Sequence, residues 1–253
     1  MRVAAVQHDI VWEDAGANRE RLAGLVAAAA DGGAGLVVLT EMFATGFSMH
    51  TDSIAEPPDG PTAAWLREQA RHHGVWLAGS ISTDPADGGL AVNRLTVAGP
   101  EGQRHHYDKI HPFTYGGEHE HYRGGTDFVV VDIGGVRTAL FVCYDLRFAD
   151  EFWAVGPDVD LFVVPANWPA QRAAHWRALL VARAIENQAY VVGINRVGEG
   201  GGLEYSGDSL IVDPLGEILA DGAGGAEQTL AGEIDLDHLA AVRTRFPFLQ
   251  DRR

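Results

Sequence analysis

A single cysteine, Cys143, stands among 253 residues. One thiol cannot close an internal disulfide, which excludes the disulfide-stapled secreted scaffolds and points to a reducing cytoplasm. Basic side chains are also scarce: 19 Lys and Arg face 35 Asp and Glu, a formal net charge of −16. That balance would repel nucleic-acid phosphates, so a nucleic-acid partner is excluded. No apolar run approaches the ~20 residues of a membrane helix. The segment Met1 to Ile10 alternates like a strand and carries Asp9 where a secretory leader would need an apolar centre. Internal repeats, low-complexity tracts and linkers are missing too, so residues 1–253 are expected to form one domain.

What is present is a mixture of strand and helix patterns along the whole chain. Val3 to Gln7 reads as a strand, and Asn18 to Ala30 as a helix with Leu22, Leu25, Val26 and Ala29 on one face. Leu36 to Leu39 is a continuous apolar run, the pattern of a strand covered on both sides. A helix is predicted over 62–73, and strands over 75–82, 91–97 and from Arg104, before a long loop from His111 to Thr126. Phe128 to Ile133 and Val136 to Val142 read as a hairpin across Gly134-Gly135. Further strands are predicted at 161–165, 190–195, 206–213 and 232–235, with helices at 172–187 and 236–242. Trp176, Leu179, Leu180 and Ala184 share a face of the first of these helices, which makes Trp176 a core residue. Such alternation argues for a layered α/β sandwich.

The stretch Phe141-Val142-Cys143-Tyr144-Asp145-Leu146-Arg147-Phe148 organises the rest. A buried strand stops at the cysteine, Asp145 is placed to cap a helix, and a helical run extends from Phe148 to Val155. A sharp strand-to-helix turn exposes its junction residue beside backbone N–H groups, which suits a thiol nucleophile and an oxyanion. A small apolar core residue is the other reading of Cys143.

Glu41 and Lys109 share this placement, each at the end of a strand and before a loop. Strand ends on one edge of an α/β sheet converge on a common crevice. A carboxylate to take the thiol proton, an ammonium to steady an oxyanion and a thiol to attack a carbonyl or nitrile carbon form a workable catalytic set. Taken singly, a glutamate or lysine after a strand is more often a solvated surface group.

Other features compete. His105, His106, His111, His119 and His121 lie close in sequence, and with Glu118 or Glu120 they could ligate a metal, although no zinc signature is formed. Trp168, Phe43, Phe113 and Tyr115 could wall a small pocket or simply pack. Arg147 could bind a substrate carboxylate, but a brace on Asp145, Asp150 or Glu151 is the preferred reading. A catalytically dead interaction protein is a third class, against which the three candidates count.

Thr40-Glu41-Met42-Phe43 with Gly46-Phe47, Tyr107-Asp108-Lys109-Ile110-His111, and Cys143 to Phe148 together resemble the nitrilase, or carbon–nitrogen hydrolase, superfamily. Pro165-Ala166-Asn167-Trp168 and Ala182 to Asn187 are similar to its later blocks, in the same order. The resemblance implies an α/β fold of four layers, αββα, that assembles as a homodimer or higher homo-oligomer. It also implies a cofactor-free Glu–Lys–Cys triad at Glu41, Lys109 and Cys143, with the Tyr144 N–H as second oxyanion donor. A further glutamate is implied between lysine and cysteine, Glu118 with Glu120 as rival. Glu41 to Met49, Gly117 to Tyr122, and Ala166 to Ala170 followed by His175-Trp176 are closest to the ω-amidases of this family. These act on small amides of 2-oxo acids such as 2-oxoglutaramate; a nitrile or N-carbamoyl amide is the alternative substrate.

Overall fold

Apolar residues at alternate positions divide each strand between two cores. Val3 and Ala5 of β1 (Arg2–Gln7) face one core and Ala4 and Val6 the other. In the computed structural model, which describes residues 1–252, the same division holds for β2 (Leu36–Val38), where Leu36 and Val38 point one way and Val37 the other.

Between these strands, α1 (Ala15–Asp31) starts where the Asp14 carboxylate accepts the Ala17 N–H. A short α2 (Thr51–Ile54) precedes α3 (Pro61–His73), which has proline in its first turn and Gly74 at φ 68° beyond its end. Then come β3 (Trp76–Thr83), β4 (Val92–Ala98) and β5 (Arg104–Asp108). The predicted hairpin forms from β6 (Val130–Ile133) and β7 (Val136–Leu140), with Gly134 and Gly135 at φ 59° and 87°. The sequence continues with α4 (Ala149–Val155), β8 (Leu161–Ala166), α5 (Ala173–Asn187) and β9 (Tyr190–Asn195). Last come β10 (Val197–Gly200), β11 (Leu203–Ser206), β12 (Leu210–Val212), β13 (Ile218–Asp221), β14 (Gln228–Glu233) and α6 (Leu236–Arg245).

Two six-stranded sheets result, ordered β14-β1-β2-β3-β4-β5 and β13-β12-β9-β8-β7-β6. Each has three parallel strands at its centre (β1-β2-β3 and β7-β8-β9) and antiparallel strands outside them. One buried cluster joins their facing sides: Val3, Leu36, Ala78 and Leu95 from the first sheet meet Leu140, Val163, Val192 and Ile211 from the second. A second cluster packs Leu22 and Val26 of α1 and Leu66 and Ala70 of α3 on the outer face of the first sheet. Trp176, Leu180 and Ala184 of α5 cover the outer side of the second and are fully buried, as the helical spacing predicted for Trp176. The layers are therefore α, β, β, α. No helix among the described residues is long and apolar enough to cross a membrane.

Sequence pattern missed the short helix α2 and two features of the second half of the chain. β10 and β11 form a separate hairpin, and β13 joins the second sheet as a largely exposed edge strand. Asp145 also departs from expectation. It lies inside a 3-10 turn, Cys143–Arg147, and does not cap α4, which starts after Phe148.

Candidate active site

The parallel strands of both sheets end toward one cleft, and their ends carry the candidate residues. After β2 the chain reverses at Met42, a non-glycine residue at φ 42°, with the Met42 N–H held by Ser80 Oγ at 2.8 Å. That turn leaves Glu41 fully buried. Lys109 follows β5; its N–H bonds the Asn93 carbonyl and its own carbonyl takes the Gly125 N–H, both at 2.9 Å. A Cβ at Gly125 would stand 2.2 Å from the Asp108 carbonyl, so only glycine permits this crossing. Cys143 opens the 3-10 turn beyond β7 at φ 46°. Its thiol was expected to be exposed, yet only 8 % of the residue is accessible, at the floor of the cleft.

Glu41, Lys109 and Glu118 form one buried ionic group. Lys109 Nζ lies 3.0 Å from Glu41 Oε1 and 2.8 Å from Glu118 Oε2. Glu118 also accepts the Phe113 N–H, and it is completely buried, whereas its rival Glu120 is exposed. The remaining oxygen of Glu41, Oε2, accepts the Asn167 N–H at 2.7 Å. The Cys143 thiol has the Glu41 carboxylate, the Lys109 ammonium and the Asn167 N–H as its polar neighbours.

Electrostatics assign the resting charges. Burial pushes the Cys143 thiol well above its ordinary range, the Glu41 carboxylate adds to this, and Lys109 pulls back only in part. Burial opposes the charge on Lys109, but Glu118 and Glu41 outweigh it and hold the ammonium well above the usual lysine range. Burial likewise raises Glu118, against the pull of Lys109, and Glu41 raises it further. The sulfur therefore rests as a thiol beside a carboxylate and a permanent cation.

The cleft holds about 420 Å³ of empty space, its mouth included. Lys109, Cys143, Tyr144 and Asn167 are at its base, with Phe47, Phe113, Trp168 and Pro169 on its walls. Arg147, Arg172, Leu203 and Tyr205 complete the lining. Tyr144, Trp168 and Phe113 thus stand where the sequence suggested, but two aromatics do not. Phe43 is in the outer core against Trp65, in space left by Gly79, where a Cβ would come within 2.6 Å of its ring. Tyr115 is 88 % exposed and does not line the cleft.

Arg147 makes no ion pair with Asp145, Asp150 or Glu151, contrary to the preferred expectation. Its guanidinium lies 4.7 Å from the Trp168 ring centre and 3.3 Å from His175 Nδ1. Asp145 is engaged instead by the Tyr107 hydroxyl at 2.8 Å, the Val142 N–H at 3.0 Å and the His111 N–H at 2.9 Å. The clustered histidines stay apart: His105 stacks on Trp76, His111 on Phe148, and His119 is exposed. Among the described residues no group of three or more His, Cys, Asp and Glu side chains could hold a metal ion.

Residues 2–244 match the sequence profile of the carbon–nitrogen hydrolases. The chain belongs to that family. As a carbon–nitrogen hydrolase it is 42 % identical over 253 residues to the omega-amidase YafV of Yersinia enterocolitica, covering 99 % of this chain and 96 % of the relative. The 2-oxoglutaramate amidase of Bacillus subtilis is 34 % identical, with 87 % and 85 % covered. Among solved structures, XC1258 from Xanthomonas campestris, a CN-hydrolase superfamily protein with an arsenic adduct in its active site, superposes with a TM-score of 0.94. It is 39 % identical, and the match spans 100 % of this chain and 97 % of that one.

Residues lining the site of this carbon–nitrogen hydrolase that escaped the sequence reading are Phe47, Asn167, Pro169, Arg172, Leu203 and Tyr205. Phe47 lay within a quoted motif, four residues beyond the phenylalanine chosen. Leu203 and Tyr205 belong to the unrecognised hairpin. Asn167 sits at the end of β8, in the same placement as the triad candidates, and that position was a usable signal.

Proposed function

We propose that this hydrolase is an ω-amidase, releasing ammonia from the terminal amide of a small 2-oxo acid such as 2-oxoglutaramate. The observation that carries the mechanism is the Glu41 carboxylate, bonded to Lys109 Nζ at 3.0 Å and neighbouring the Cys143 thiol. As sulfur attacks the amide carbon, Glu41 takes the thiol proton. Lys109 and the Tyr144 N–H receive the oxyanion. Glu41 then passes the proton to nitrogen, the C–N bond breaks, and ammonia leaves a thioester. Water, deprotonated by Glu41, adds to the thioester; its collapse returns the proton to sulfur and frees the acid. Glu118 keeps Lys109 charged and fixed throughout.

The cleft supports an anionic acyl group. Arg147 and Arg172 line it, and neither guanidinium has an ion-pair partner among the described residues. The Trp168 and Phe113 rings lie beneath them, 4.7 and 5.5 Å away. A carboxylate at the far end of the substrate would complete both. Homodimerisation is part of the same reading; Ile185 on α5, exposed beside Gly216, offers apolar surface for it.

Ammonia release from 2-oxoglutaramate, 2-oxosuccinamate, glutamine, simple nitriles and N-carbamoyl amino acids tests the assignment. The 2-oxo acid amides are expected to be fastest, and Cys143→Ala to lose about a thousandfold or more. Ammonia from nitriles alone would overturn the substrate, and an active Cys143→Ala would overturn the chemistry.

A further inference from the structure

Two buried carboxylates share one ammonium in this site, and a neutral group mediates between them. Asn93, on β4 and almost completely buried, donates from Nδ2 to Glu41 Oε1 at 2.8 Å and to Glu118 Oε1 at 3.3 Å. Its Oδ1 accepts from Ser80 Oγ at 2.8 Å, and Ser80 Oγ accepts the Met42 N–H. Carboxylate oxygens accept, so the Nδ2 end of the amide faces the glutamates and Oδ1 takes the Ser80 hydroxyl proton. The Asn93 carbonyl also receives the Lys109 N–H. One residue therefore touches Glu41, Glu118 and Lys109 without lining the cleft.

We propose that Asn93 is a positioning residue that holds Glu41 and Glu118 in register on either side of Lys109. The inference rests on Glu41 acting as the proton acceptor. An amide suits the place because it supplies two N–H donors, one for each carboxylate, and no charge. Aspartate would add a third anion to a site with one cation, and alanine would leave both glutamates short of a donor. Either change raises the proton affinity of Glu41 and loosens its aim at the thiol. Substrate contacts are untouched.

The test is the pH dependence of kcat and kcat/KM for Asn93→Ala, Asn93→Asp and Ser80→Ala, beside Cys143→Ala and with thermal unfolding as the check on folding. For Asn93→Ala, kcat is expected to fall about tenfold or more while KM stays within about twofold. The acidic limb of kcat/KM moves to higher pH, further in Asn93→Asp. Ser80→Ala, which keeps the amide but removes its anchor, shifts the limb in the same direction by less. If Asn93→Ala does not fold, Ser80→Ala decides by the same limb. A limb that stays at its wild-type pH in a folded variant would overturn the positioning role, even if kcat falls. Should Cys143→Ala remain active, the thiol mechanism fails; a dead Cys143→Ala with an unmoved limb refutes Asn93 alone.

Discussion

Thr40, the neighbour of Glu41, meets a second buried titratable group. Its hydroxyl lies 3.0 Å from His8 Nε2, while His8 Nδ1 lies 2.9 Å from the Asp9 carbonyl. A carbonyl only accepts, so Nδ1 carries a proton; in the neutral ring, Nε2 then accepts from Thr40. Burial lowers its pKa from 6.5 to about 4, the Asp9 carbonyl opposing only in part. The unfolded chain then binds a proton at higher pH than the folded one. The stabilisation is whole above pH 6.5 and is lost as pH falls toward 4, a total of about 3 kcal/mol. Urea unfolding of wild type and His8→Gln at pH 7.5 and 4.5 should show their stability gap shrinking by about 2–3 kcal/mol at acid pH; a gap independent of pH would refute the neutral ring. Individual residues were also where sequence reading was weakest. Phe43 and Phe47 have the same chemistry and flank one turn; only the φ of 42° at Met42 and the room above Gly79 send one to the core. Arg147 had three acids near it in sequence, and the fold aims it past all of them at Trp168.

Elements, by contrast, were legible wherever burial enforces a period. The ends of β2 and β7 placed Glu41 and Cys143 from apolar runs, because a strand covered on both faces must be apolar throughout and stops where it is not. Lys109 was placed instead by the end of β5, a polar, histidine-rich edge strand. The β10–β11 hairpin was illegible for the converse reason. It belongs to neither main sheet, Leu203 and Glu204 are exposed, and its glycine-rich turn reads as interruption. Gly193 in β9 shows how tight the covered elements are. A Cβ there would meet both terminal methyls of Leu180 on α5 at 2.4 Å. The leucine is fully buried and has little room to turn away. Gly193→Ala should therefore lift α5 from the second sheet and cost about 1–3 kcal/mol in chemical denaturation. Gly74, beyond α3, has nothing within 4 Å of its Cβ position and a φ of 68°; alanine there pays only a backbone cost of about 1–2 kcal/mol. If the two glycine variants differ, and only Gly193→Ala also lowers kcat, the loss comes from packing under the cleft.

At the scale of the molecule, the charge of −16 and the arginine-lined cleft act on an anionic substrate in opposite directions. Range separates them. Repulsion by the whole surface reaches as far as the Debye length, about 30 Å at 0.01 M salt and about 8 Å at 0.15 M. Arg147 and Arg172 act at contact, at a separation well under the Debye length even at 0.15 M, so salt screens them less. Raising ionic strength between these limits should therefore remove more repulsion than attraction. For an anionic 2-oxo acid amide, kcat/KM is expected to rise about twofold or more, mainly through KM. A neutral amide of similar size should show no such rise, because the general surface field has no charge to act on. Steady-state rates for both substrates across the series separate this effect from any action of salt on the enzyme itself, which would move the two together. A fall for the anionic substrate alone would mean that local attraction, not the net charge, governs its approach.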